Sequence, residues 1–339
     1  MMQKPSDRAA VVSKLPKSVG GTLEAYYGML GTVGWVRRGE RSGRSLRGRR
    51  EPRHQQHGRV RSSQPQAKRG GRLARMIDPA GRVSFDRAAD YYDQTRALSP
   101  EALAGVVELL ASELTGRGRC LEIGVGTGRI ALPLAAAGQT MAGIDVSAAM
   151  LGRLIAKADG HAPFPVVLAD ATRLPFRQDT FGAALCVHVL HLIPHWKEAV
   201  DELLRVVRPR GVLLVDVGGN EDPTLKMLED RFGVAAGITA AERPGLPRSR
   251  IAELDDRLAA AGCRRRLLPP VPVVGEERLA EHIDRLEEGL YSWTWPVAEA
   301  TRRSAAAETR AWAVAEFGPL DAPRTVRSEV GHRAYDLPG

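Results

Sequence analysis

No stretch of this 339-residue chain approaches the roughly 18 consecutive apolar residues that a membrane-crossing helix needs. Cysteine is scarce. Cys120, Cys186 and Cys263 lie far apart and match neither a metal-binding nor a disulfide spacing, which suits a reducing, cytoplasmic setting. Internal repeats are lacking as well. Acidic residues are nearly missing from the first 75 positions, where 4 Asp+Glu face 18 Lys+Arg; over the remainder 36 face 31. The formal charge of +9 therefore belongs to the N-terminal segment, and the rest of the chain is mildly acidic. A high isoelectric point here does not imply that the whole protein binds nucleic acid.

That segment is also short of apolar residues, above all in "RRGERSGRSLRGRREPRHQQHGRVRSSQPQAKRGGRLAR". Too little surface can be buried there to offset chain entropy, so residues 1–75 are expected to be disordered. Three readings stay open: a basic arm for RNA or phosphate, an Arg-rich transit peptide, or a true start at Met76. Val19 to Val36 does not read as a secretory signal, since it carries Glu24 and several glycines.

What is present from Met76 to Gly339 reads as one α/β domain. "SPEALAGVVELLASEL" is a helix with Ser99 as N-cap and Pro100 in its first turn. Strands are expected at 120–123, 140–144, 165–168, 183–187 and 211–217, with helices at 128–137, 147–158 and 195–207 between them. This alternation predicts a mostly parallel sheet covered on both faces. Residues 221–262 read as helical up to Gly262, "RLLPPVPVVG" as an edge or irregular strand, and 276–318 as a helical insert. "RTVRSEVGHRAYDLP" closes the chain as a last strand.

The most informative stretch is "CLEIGVGTGRIALPLAAAG", a strand entering a glycine bend. A dinucleotide fingerprint wants G-x-G-x-x-G, but Arg129 stands where its third glycine should allow tight helix–strand packing. The pattern is instead E-x-G-x-G-x-G, formed by Glu122, Gly124, Gly126 and Gly128. Asp145 ends the second strand, where a carboxylate can accept from both hydroxyls of a ribose. Asp170 follows the third strand in "VLADATRLPF".

Together with "FGAALCVHVLHLI" and "LLRVVRPRGVLLV", these motifs resemble the class I S-adenosylmethionine-dependent methyltransferases. They are most similar to the small-molecule branch that includes the ubiquinone/menaquinone C-methyltransferases. The resemblance covers about 84–220 and implies a Rossmann-like fold, with a mostly parallel seven-stranded sheet and a C-terminal helical lid insertion. It implies S-adenosylmethionine as cofactor and transfer of its methyl group to a small-molecule acceptor. Carried over by position, Gly124, Gly126 and Gly128 admit the methionine portion, and Glu122 supports the loop through backbone amides or the cofactor's ammonium. Asp145 takes the ribose, Met150 packs on the adenine, and Asp170 with the Ala171 backbone reads its amino group. "FDRAADYYDQTR" resembles the helix that folds over the cofactor, so Tyr91 and Tyr92 are candidate lids and Arg96 a partner for the cofactor carboxylate. The alternative is an amphipathic helix whose tyrosines merely pack.

His188, His191 and His195 follow the fourth strand. The family topology makes His188 the candidate general base, since imidazole titrates near neutrality. The bland alternative is a histidine that fixes its loop. No metal is expected, because Pro194 interrupts the helix that would align the three rings and no carboxylate or thiol completes the set. The acceptor region is expected in 221–240 and 276–318, where Tyr291, Trp293 and Trp295 either roof a planar substrate or anchor the lid. If extended, that stretch would put Trp293 and Trp295 on one face. The N/D-P-P-Y/F signature of base and glutamine N-methylation is lacking after the fourth strand, and no cysteine stands in a Pro-Cys context. Both gaps argue against a nucleic-acid substrate, leaving an RNA role only to residues 1–75.

Overall fold

The computed structural model describes residues 27–29, 32–34, 85–86, 88–89, 91–93, 98–219, 221–238 and 246–339. Within the expected disordered segment, Tyr27–Met29 pairs antiparallel with Thr32–Gly34; its Arg-rich part lies outside the described residues.

The first long helix, α1 (Pro100–Leu114), starts as its sequence demands: Ser99 Oγ accepts from the Ala102 amide at 3.2 Å. Ala102, Val106, Leu110 and Leu114 form its buried face. The chain then alternates through β1 (Cys120–Ile123), α2 (Ala131–Ala136), β2 (Met141–Asp145), α3 (Ala148–Lys157), β3 (Val166–Leu168), β4 (Phe181–Cys186), α4 (Trp196–Val206) and β5 (Val207–Asp216). Next come α5 (Pro223–Ala235), α6 (Ile251–Ala260) and β6 (Arg264–Leu267). The last stretch holds β7 (Val271–Glu277), α7 (Leu279–Glu288), α8 (Glu299–Phe317), β8 (Arg324–Val330) and β9 (His332–Asp336).

Seven strands form one sheet in the order β3-β2-β1-β4-β5-β9-β6. Pairs within β3 to β5 are parallel, and β9 runs antiparallel between β5 and β6. Alternate residues of the strands feed two cores. One takes Leu121, Ile144, Cys186 and Val215 with α4 and α6; the other takes Cys120, Met141, Leu185 and Leu214 with α1, α2 and α3. Burial on both faces is why these strands read as apolar runs with few charges.

The C-terminal reading needs revision in two places. Glu277 ends a strand, so the insert is not helical from 276: β7 and β8 make a separate antiparallel ribbon with Val271 opposite Val330, and α7 and α8 sit at its far end. The closing stretch, read as one strand, is two. It breaks at Gly331, where a Cβ would lie 2.3 Å from the Gly218 carbonyl oxygen. The insert's helices pack with α5 around Leu228, Phe232, Leu279, Ile283 and Leu286, a third core apart from the sheet.

Candidate functional site

The glycine bend follows β1 directly. Gly124, Gly126 and Gly128 all have positive φ, at 65°, 55° and 78°, but their surroundings differ. A Cβ on Gly124 would meet Val189 Cγ2 at 2.4 Å, and one on Gly128 would meet Leu132 and Leu154 at 2.7–3.0 Å. A Cβ on Gly126 would find nothing nearer than 3.9 Å. Two of the glycines thus let the bend pack against the domain, and the middle one leaves the cradle open. Gly128, not position 129, is the helix-packing glycine, which agrees with the sequence argument against a dinucleotide loop.

Asp145 closes the cradle from the end of β2. Its Oδ2 accepts from the Gly126 amide at 2.9 Å and its Oδ1 from the Ser147 amide at 2.8 Å. Burial raises its proton affinity, and the backbone amides of Ser147, Gly126 and Val146 oppose that rise. Ser147 caps α3 by accepting from the Met150 amide at 3.1 Å, and Met150 is buried. On β3's side, Asp170 Oδ1 accepts from the Thr172 amide and hydroxyl, both at 2.9 Å, which fixes its loop beside the buried Ala171.

Glu122 is buried in β1, and its carboxylate accepts from the Ala131 amide at the start of α2. Its Oε2 has no hydrogen-bond partner among the described residues. Burial pushes its pKa up to about 8, against the pull of Arg129 and with the repulsion of Asp145. Because the folded-state value is raised, the wild type should lose stability as pH climbs from about 4.5 to 8. Glu122→Gln should therefore gain stability over the wild type across that window and level off above it. Urea denaturation at a series of pH values checks this, and a pH-independent difference would refute it.

Among the described residues ahead of α1, two carboxylates reach this cradle. Asp86 Oδ1 accepts from the Ser147 hydroxyl at 2.5 Å, and Asp93 Oδ1 from the Thr127 hydroxyl at 2.7 Å. Lys157 reaches from α3 to Asp93 at 2.7 Å and to Thr127. Phe85 contacts Tyr92 edge-on, with centroids 5.9 Å apart, and Trp295 at 4.9 Å, so the strap joins the glycine bend to the insert. Tyr91 is half-buried within it. Arg96 lies outside the described residues.

The aromatic stretch of the insert is not extended. Ser292–Thr294 forms a single 3-10 turn, which sends the two tryptophans to different places. Trp293 packs edge-on against Phe232 at 5.9 Å, in the insert's own core. Trp295 is buried, donates to the Gly289 carbonyl at 2.9 Å and meets Phe85. Tyr291 is buried against the His282 ring. Anchoring is the geometry seen for Tyr291 and Trp293.

His188 follows β4, half-exposed, with φ at 49°. Its Nε2 lies 3.2 Å from Asp216 Oδ2, a partner that sequence reasoning missed. The His191 ring stands edge-on to it at 6.5 Å, and His195 pairs with Glu198 at 3.7 Å on an exposed surface. Asp216 ends β5, and His332 of β9 is its direct neighbour in the antiparallel ladder. Only the pairing of distant strands assembles this cluster. The one signal in the sequence was the acid at the end of "VLLVDVGG", in the same strand-end position as Asp145.

Comparisons with known proteins give the following similarities. The family described as "Methyltransferase domain" matches residues 121–215. A demethylmenaquinone methyltransferase of Clavibacter sepedonicus is 34% identical over 142 residues, 40% of this chain and 57% of that one. A phosphatidylethanolamine N-methyltransferase of Cereibacter sphaeroides is 35% identical over 101 residues, 29% of this chain and 49% of that one. The chain thus spans about half the length of these two curated relatives. A solved structure assigned as a type II methyltransferase of Anaeromyxobacter dehalogenans superposes with a TM-score of 0.50 at 21% identity, covering 69% of this chain and 97% of that one. The fold is the Rossmann-like class I methyltransferase fold. Residues 121–215 are thus similar to methyltransferase domains.

Proposed function

We propose that this protein transfers a methyl group from S-adenosylmethionine to a small-molecule acceptor by in-line displacement. The observation that carries the reading is the open cradle at Gly126, flanked by the Asp145 carboxylate and the orphaned Glu122 oxygen. Burial keeps Glu122 mostly protonated near pH 7, and the cofactor's ammonium would favour its charged, accepting form, while a strand-end carboxylate suits the ribose. When bound, the cofactor supplies a methyl group on a positively charged sulfur. The chain's own residues hold, orient and dry it. Gly124, Gly126 and Gly128 shape the methionine end. Asp145 takes the ribose, while Met150, Asp170 and Ala171 line the adenine side. Tyr92 roofs the site, and Arg96 is the proposed partner for the cofactor carboxylate.

The acceptor enters under the cover made by α5 and the insert. No helix among the described residues is long and apolar enough to cross a membrane, and a cytoplasmic location fits the cysteine usage. The RNA reading rests on the composition of residues 1–75 alone.

Calorimetry of the full chain with S-adenosylhomocysteine, followed by a metabolite screen for transfer of a labelled methyl group, tests the reading. Saturable binding and a methylated product are expected; no binding would sink it.

A further inference from the structure

The strap touches two regions that methyl transfer uses separately, the cradle and the insert. At the cradle its carboxylates sit at both ends of α3. Asp86 Oδ1 accepts at 2.5 Å from the hydroxyl of Ser147, the N-cap of that helix. Asp93 meets Lys157, in the last turn of α3, at 2.7 Å, and the hydroxyl of the fully buried Thr127 at 2.7 Å. Lys157 closes the triangle by donating to the Thr127 carbonyl at 3.2 Å and to its hydroxyl at 3.1 Å. The strap is thus clasped to the residue between Gly126 and Gly128.

At its other contact the strap reaches the joint between α7 and α8. The Phe85 ring lies 5.9 Å from Tyr92 and 4.9 Å from Trp295. Trp295 is buried, and its indole donates at 2.9 Å to the carbonyl of Gly289, the left-handed C-cap of α7. Arg302 of α8 holds the same joint. Its Nε donates to the Glu287 carbonyl at 2.9 Å and its Nη1 to the Val297 carbonyl at 2.6 Å. A Cβ at Gly289 would lie 3.0 Å from the Arg302 guanidinium carbon. Because α7 and α8 share a core with Leu228 and Phe232 of α5, this joint sets how the three helices meet.

The clasp at the cradle is weak enough to release. Asp93 and Lys157 are 40% and 38% exposed, and an ion pair so open to water holds little. A ligand that binds beneath the clasped strap and not the released one shifts the balance toward clasping. We propose that the strap couples the donor site to the insert. A cofactor in the cradle holds the strap down, Phe85 seats on Trp295, and the α7–α8 joint is ordered before the acceptor arrives. The identity of the donor rests on the methyl-transfer reading above; the coupling rests on the contacts. Coupling of this kind is reciprocal, so an acceptor under the insert tightens donor binding by the same factor.

Amide hydrogen exchange on the full-length protein, with and without saturating S-adenosylhomocysteine, tests the coupling. In the wild type the ligand should slow exchange at the glycine bend, and also at α7 and the first turn of α8 by about threefold or more. In Phe85→Ala the slowing at the bend should remain and that at α7 and α8 should vanish. Phe85→Leu, which keeps an apolar contact, should restore part of it. Slowing confined to the cradle in the wild type overturns the proposal. So does an equal slowing of the insert in wild type and Phe85→Ala, which is what a mere brace would give. A second arm needs no ligand: Asp93→Ala opens the clasp and should speed exchange at α7 about threefold. An unchanged rate there also overturns the coupling. Failure of the wild type to bind S-adenosylhomocysteine would remove the methyl-transfer reading, while Asp93→Ala still reports the coupling.

Discussion

Asp145→Ala is expected to bind S-adenosylhomocysteine about 100-fold more weakly than the wild type. The carboxylate has two tasks. Toward the protein it accepts from the Gly126 and Ser147 amides, which hold the bend and the start of α3 in register. Toward the cofactor it is the proposed acceptor for the ribose hydroxyls. Hydrogen bonds to a charged group contribute about 1.5–3 kcal/mol each, and a loss of about 3 kcal/mol is a hundredfold in affinity. Alanine removes both tasks. Asn retains one acceptor and should fall between the two. Calorimetry reads the series directly; an Asp145→Ala affinity within about threefold of wild type would show that the ribose is held elsewhere.

The second large effect separates two glycines that look alike in the sequence. Gly124→Ala should destabilise the fold by about 3 kcal/mol, the sum of a left-handed alanine and an overpacked contact. The new methyl would sit 2.4 Å from Val189 Cγ2, and Val189 is fixed by the turn that carries His188. Gly126→Ala should cost only about 1–2 kcal/mol, because its methyl points into open space. That space is the one proposed for the cofactor, so Gly126→Ala should lose binding while staying folded. Chemical denaturation and calorimetry on both variants distinguish the outcomes. Val189→Ala added to Gly124→Ala should recover part of the lost stability. Equal stability losses in the two variants would contradict the packing argument.

Local signals carried most of the cofactor half. Ser99 and Pro100 announced a helix start through short-range chemistry, and the helix begins there. The run "FGAALC" showed a buried parallel strand because both its faces lack polar residues, and "CLEI" departs from that pattern only at Glu122. The glycine bend was legible because its backbone needs positive φ, which few other residues adopt. What was not legible depended on long-range pairing. Asp216 meets His332 only because β9 slots between β5 and β6, more than a hundred residues along the chain. The strap's carboxylate anchors were not legible for a related reason. Tyrosines invite a lid reading, yet Asp86 and Asp93 find Ser147 and Thr127 across the cradle. The turn at Ser292–Thr294 defeated a pattern argument that assumed extended chain.

The ribbon has a consequence for how such a protein diversifies. Its two ends, Val271 and Val330, face each other at the base, so the whole excursion leaves the sheet and returns at one point. Most of what lies beyond that base could be lengthened, shortened or exchanged without moving a strand of the sheet, provided the Phe85–Trp295 contact to the strap over the glycine bend is kept. Under the proposed function, acceptor choice and donor binding are thereby written in separable parts of one chain. The part beneath the stalk stays constant while the part above it is free to be rewritten for a new compound.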